Sequence, residues 1–102
     1  MTTIDTKDIR KIIVACDAGM GSSVMLASTL RKQLMGTGVE VEHTPVNDIP
    51  ADADVVLCHV GLAARARAGA PGKVLLSFQI FLGDPVVTNL VSTIKKGGTV
   101  SA

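Results

Sequence analysis

The sequence predicts an α/β fold: an open four-stranded parallel sheet in the order 2-1-3-4, with helices on both faces. Three observations carry that expectation. Short apolar runs alternate with helix-patterned segments along 102 residues, a length suited to one domain. Hydrophobic residues make up 47% of the chain against 19% charged, which fits strands buried on both faces. A glycine-rich turn joins the first apolar run to the first helical pattern, at the place where open α/β sheets put their ligands.

The elements follow in order. Residues 1–8 are polar and are expected to be flexible. Ile9 to Ala15 reads as the first strand. Val24, Ala27, Leu30 and Leu34 then recur at helical spacing, with Ser22 or Ser23 at the N-terminus and Gly36 and Gly38 as the stop. Val39 to Thr44 sets Val39 and Val41 against Glu40 and Glu42, a strand with one exposed side. Pro45 to Asp52 is a connection. Asp54 to Cys58 is a third strand, apolar throughout after its aspartate. Leu62 to Ala68 forms a short helix that Ala70-Pro71-Gly72 breaks, and Lys73 to Ser77 is the fourth strand. Asp84, followed by Pro85, opens a last helix that runs to Lys96 and ends at Gly97-Gly98. A single domain over residues 9–96 is expected, with a flexible tail at 97–102. Parallel strands joined by helices cross over with a right hand. The strand order then reverses beside the first strand, and Cys16 falls at that edge.

Composition excludes several classes. Ten basic and nine acidic residues leave a net charge of +1, so no field of one sign is available to hold nucleic acid. Trp and Tyr are absent and Phe78 and Phe81 are the two aromatics, too few for a base-stacking surface. The N-terminal residues lack the apolar core of a signal peptide, and no apolar run approaches transmembrane length. A cytoplasmic location without membrane insertion is therefore expected, with Cys16 and Cys58 as reduced thiols. Cys58-His59 is one pair without a second, so no metal site and no cofactor are expected.

The richest segment is Cys16-Asp17-Ala18-Gly19-Met20-Gly21-Ser22-Ser23. A thiol at the end of a buried strand faces a helix start, where unpaired backbone N–H groups and the helix dipole favour negative charge. Such a site holds a phosphate and stabilises a thiolate. Gly19 and Gly21 permit inward-pointing N–H groups, and Ser22 and Ser23 add hydroxyls that serve either phosphate or a helix cap. A dinucleotide fingerprint fails, because Val24 stands where the third glycine belongs. A Walker-type loop fails, because no lysine occurs between Lys11 and Lys32. A cysteine phosphatase needs Cys, five residues, then Arg, and Ser22 occupies that place. A phosphocysteine carrier needs the cradle alone.

At this point the chain resembles the cytoplasmic B component (enzyme IIB) of the bacterial phosphoenolpyruvate-dependent sugar phosphotransferase system, closest to its mannitol-type branch. The likeness rests on Lys11 through Ser23, with weaker support from Asp54 to His59, Leu62 to Ala66 and Phe81 to Asp84. It implies a relay. A phosphohistidine of the A component gives its phosphoryl group to Cys16. Phospho-Cys16 passes it to a sugar or sugar alcohol, mannitol or a related hexitol, held by the membrane-embedded C component. The resemblance thus implies a phosphotransferase whose partners are the A and C components, and a monomeric state is expected. The chain departs from the commoner pattern after His59, where Val60-Gly61 and an Ala/Arg-rich stretch replace a more polar helix. A regulatory module of the same fold, or an enzyme like the low-molecular-weight phosphatases, remains the alternative.

Other candidates have plainer readings. His59 lies just past the third strand, near the phosphate or as a loop cap, with the cap favoured. His43 is weaker still. Cys58 reads as a core residue. Arg65 and Arg67 read as a solvated helix face, with an acidic partner surface as the alternative.

Overall fold

The computed structural model describes residues 3–16, 21–70, 72–79 and 84–101, and at positions 16, 21–23 and 101 the backbone alone. Its elements are β1 (Thr3–Asp5), β2 (Lys11–Cys16), α1 (Gly21–Gln33), β3 (Glu40–Pro45), β4 (Val55–His59), α2 (Ala63–Gly69), β5 (Val74–Phe78), α3 (Pro85–Lys96) and β6 (Thr99–Ser101). Four strands form one parallel sheet with β3-β2-β4-β5 across it. The expected strands and helices are all present, with ends within one or two residues of their forecast bounds.

Alternation along the strands builds two cores. Ile12, Val14, Val55, Leu57, Val74 and Phe78 pack with Leu26, Ala27, Leu30 and Leu34 of α1 and with Val87, Leu90 and Val91 of α3. Ile13, Ala15, Val56, Cys58 and Leu75 pack on the other side with Ala66 of α2 and with Val46 and Ala53. Ile12 and Ile13 are both fully buried, which explains why the central strand reads as a continuous apolar run.

The stripe on α1 is rotated from the one the spacing suggests. Val24 is 46% exposed, whereas Leu26 is 1% exposed and takes its place. Positions 26, 27, 30 and 34 lie under one face, and position 24 lies in the first turn, off the stripe. Arg31, also on α1, donates from Nε to the Val41 carbonyl at 2.7 Å. Glu40 donates its N–H inward to Arg10, so the neighbouring Val41 carbonyl faces away from β2. Arg31 therefore covers part of the free edge of β3, an edge that otherwise invites pairing.

No strand is legible in the sequence at either end, yet β1 and β6 pair antiparallel with Ile4 opposite Val100. This corrects the reading of residues 3–5 and 99–101 as parts of flexible ends. Val100 is buried in the larger core, and Ile4 packs against it. Thr6 fastens the ribbon: its Oγ1 donates to the Gly98 carbonyl at 3.1 Å and accepts the Gly98 N–H at 3.0 Å. Gly97 ends α3 with a φ of 82°, a left-handed conformation that costs glycine little.

Asp54 sets the opposite, amino-terminal edge of the sheet. Its Oδ2 accepts the N–H groups of Arg10 at 2.8 Å and Lys11 at 3.0 Å, tying the start of β2 to the start of β4. Among the described residues, no helix is long and apolar enough to cross a membrane.

Candidate functional site

Four parallel strands bring four carboxyl ends to one edge. Cys16, the last residue of β2, stands in register with Pro45, the last of β3. One row back, Ala15 stands opposite both Thr44 and Cys58. His59 and Phe78, the last residues of β4 and β5, stand opposite each other. Pro45 suits this place. The inward N–H groups of β3 belong to even positions such as Glu40, so the missing N–H of Pro45 costs the ladder nothing.

Helix α1 begins at Gly21, with four residues between it and the end of β2. Its first turn contains no acidic residue, and its last turn carries Arg31 and Lys32. No carboxylate neutralises the positive end of the helix dipole, while Arg31 and Lys32 offset its negative end. Gly21, Ser22 and Ser23 form the opening backbone of α1. Asp17, Ala18, Gly19 and Met20 lie outside the described residues.

His59 is a loop cap. Its Nδ1 accepts the N–H of Gly61 at 3.1 Å, at the start of a short turn over residues 60–62. Its ring meets Phe78 edge-on, with centroids 6.1 Å apart and planes at 86°. The cap was the favoured reading of the sequence, but the ring contact was not legible there, since Phe78 comes from another strand. A Cβ built on Gly61 would stand 3.3 Å from Nδ1, so the missing side chain lets the ring lie close to the turn.

Cys58 is fully buried in the smaller core, as its apolar strand suggests. Burial pushes its thiol pKa up, and the charge of Arg67 acts in the opposite direction. His43 is exposed on β3, opposite Val14. Arg65 and Arg67 are exposed on α2.

Asp84 does more than open α3. It is 5% exposed, and its Oδ1 accepts the Val86 N–H at 2.9 Å. Its Oδ2 accepts the Gln79 N–H at 2.9 Å, joining the exit of β5 to the start of α3. The Asp-Pro pair signalled the cap but not the second bond.

An open cleft of about 700 Å³ lies at the opposite edge of the sheet, between Arg10, Lys11, Asp52, Asp54 and Lys73. Its charges are largely spent on the fold. Lys11 is paired with Asp52, Lys73 donates to the Ala51 carbonyl, and Asp54 holds two backbone amides. Cys16 ends β2 at the other, carboxyl edge of the sheet.

Comparison with known proteins identifies a family and its relatives. The family model described as "PTS system, Lactose/Cellobiose specific IIB subunit" matches residues 11–90. The mannitol-specific EIICB component of Geobacillus stearothermophilus is 42% identical over 90 residues, which cover 86% of this chain and 19% of that protein. The mannitol-specific EIICB component of Bacillus subtilis is 40% identical over 95 residues, covering 91% and 20%. The mannitol-specific EIICBA component of Escherichia coli K12 is 42% identical over 91 residues, covering 86% and 14%. The chain spans about a fifth or less of the length of these relatives.

Proposed function

Because the chain belongs to the IIB subunit family of the PTS systems, we propose that Cys16 is a phosphoryl carrier. Its thiolate attacks the phosphorus of a phosphohistidine on an A component. The N–P bond breaks, an S–P bond forms, and the imidazole leaves. A sugar hydroxyl held by a C component then attacks phospho-Cys16. The S–P bond breaks, an O–P bond forms, the thiolate is released and the hydroxyl proton goes to solvent or a neighbouring base.

The observation that carries this reading is the position of Cys16. It ends the strand beside which the sheet order reverses, and the electropositive start of α1 follows it. The backbone N–H groups of Asp17, Ala18, Gly19, Met20 and Gly21, with Ser22 and Ser23, form the phosphate cradle in this proposal. The absence of an arginine at position 22 supports a carrier over a hydrolase, since Ser22 supplies no cation to the transferring group.

The family description names lactose and cellobiose, whereas the relatives are named for mannitol. Identity of 40–42% over most of the chain to those relatives favours mannitol or a related hexitol. Their names join B to C, and in one case to A as well. We place this chain accordingly at the cytoplasmic face of the membrane, between those two partners.

The test is phosphorylation by phosphoenolpyruvate, the general phosphotransfer proteins and a matching A component. One phosphoryl group should arrive on Cys16, and Cys16→Ser should accept none. Peptide mapping that finds the group on His59 or His43 overturns the assignment. So does robust Cys16-dependent release of inorganic phosphate from an aryl phosphate.

A further inference from the structure

The loop cap at His59 has a chemical consequence beyond the turn it closes. The Gly61 N–H is a fixed donor, so the Nδ1 that receives it at 3.1 Å carries no proton. The neutral ring then bears its proton on Nε2. Phe78 stands against the ring at 86°, and the close approach of Gly61 limits how far the ring can turn. Tautomer and orientation are both set by neighbours.

Strand register bears on the position of His59. Ile12 stands opposite Val55, and Val14 stands opposite Leu57, all four in the same core on the α1 side. Continued one residue past its last pair, Ala15 opposite Cys58, that register would set position 16 beside His59. Adjacent strands run about 4.8 Å apart, which is within reach of a side-chain donor. His59 is half-buried at the end of β4.

We propose that His59, held by Gly61 and Phe78, donates its Nε2 proton in a hydrogen bond to an oxygen of the phosphoryl group on Cys16. This deepens the carrier reading and rests on it. His59 binds the group from the neighbouring strand. The bond is charge-assisted, because the acceptor is an anionic phosphoryl oxygen. No proton is transferred in this role. The ring orients the group and offsets its charge while a partner approaches.

Long-range proton–nitrogen spectra of the imidazole rings test the proposal, with His43 as the internal control. His59 should show the Nε2–H tautomer in the unmodified chain. Its Nε2 resonance should move when Cys16 is phosphorylated, and that of His43 should not. His59→Asn keeps a short acceptor for Gly61 but loses the reach of Nε2, and should slow phosphoryl arrival by about tenfold or more. His59→Gln places an amide N–H near the Nε2 position and should stay closer to the wild-type rate. Circular dichroism checks the fold of both variants, and should either fail to fold, the spectra of the wild-type chain decide. An Nδ1–H tautomer, or a His59 ring unmoved in a chain whose Cys16 carries phosphate, overturns this inference and leaves the carrier reading intact. A Cys16 that never accepts phosphate overturns both.

Discussion

The Asp84 carboxylate accepts the Gln79 N–H at 2.9 Å through one oxygen and caps α3 at Val86 through the other. A single buried side chain thus closes the segment between β5 and α3. Asp84→Ala should remove both bonds. The lost cap is worth about 1 kcal/mol and the stranded Gln79 N–H about 1–3 kcal/mol, for a loss of about 2–4 kcal/mol in urea unfolding. Asp84→Asn should lose less, because its one carbonyl oxygen still caps the helix. A loss below about 0.5 kcal/mol for Asp84→Ala would contradict this account.

Two thiols in neighbouring strands should react very differently. Burial raises the pKa of Cys58, so little of it is thiolate near neutral pH. Limited alkylation of the folded chain should therefore label Cys16 and spare Cys58 until denaturant is added. Cys16→Ser should change stability by no more than about 1 kcal/mol, as expected for a residue at a strand edge. Early labelling of Cys58 would contradict the packing of the smaller core.

One hydroxyl ties both backbone groups of Gly98 to Thr6 at the base of the terminal ribbon. Thr6→Val keeps the shape of the side chain but leaves the Gly98 N–H without its Oγ1 partner. The expected cost is about 1–3 kcal/mol. Hydrogen exchange should show faster exchange across β1 and β6, with the parallel sheet unchanged. Uniformly faster exchange through β2 and β4 would mean that the ribbon belongs to the global unfolding unit.

The Lys11–Asp52 pair, 2.9 Å apart, should give stability a small pH dependence. Its hydrogen bond holds the Asp52 carboxyl below the ordinary carboxylate value and Lys11 above the ordinary lysine value. The Asp52 contribution is therefore complete above the unfolded carboxylate pKa and is lost as pH falls through the lower folded value. The Lys11 contribution is complete below the unfolded lysine pKa and is lost as pH rises through the higher folded value. Asp52 is largely exposed, so solvent keeps the effect small. Asp52→Asn should be slightly less stable than wild type at neutral pH, with the difference closing in acid. A difference that widens in acid would reverse the sign of this assignment.

Local pattern in the sequence determined the parallel α/β sheet, its helices, the placement of Cys16 at a strand end and the capping role of Asp84. Each depends on residues a few positions apart: apolar runs, helical spacing, glycine stops and an Asp-Pro pair. The tertiary structure alone decided what depends on distant partners. The β1–β6 ribbon joins the two ends of the described chain, and three-residue strands are too short to show a period. Leu26 displaced Val24 from the buried stripe because packing against the sheet, not spacing, sets the rotation of α1. Arg31 covers the Val41 carbonyl because β3 lies at the free edge. His59 was legible as a cap, but its ring meets Phe78 from the next strand. Periodicity reports which face of an element is apolar. Only the assembled sheet brings residues of different strands to the same edge.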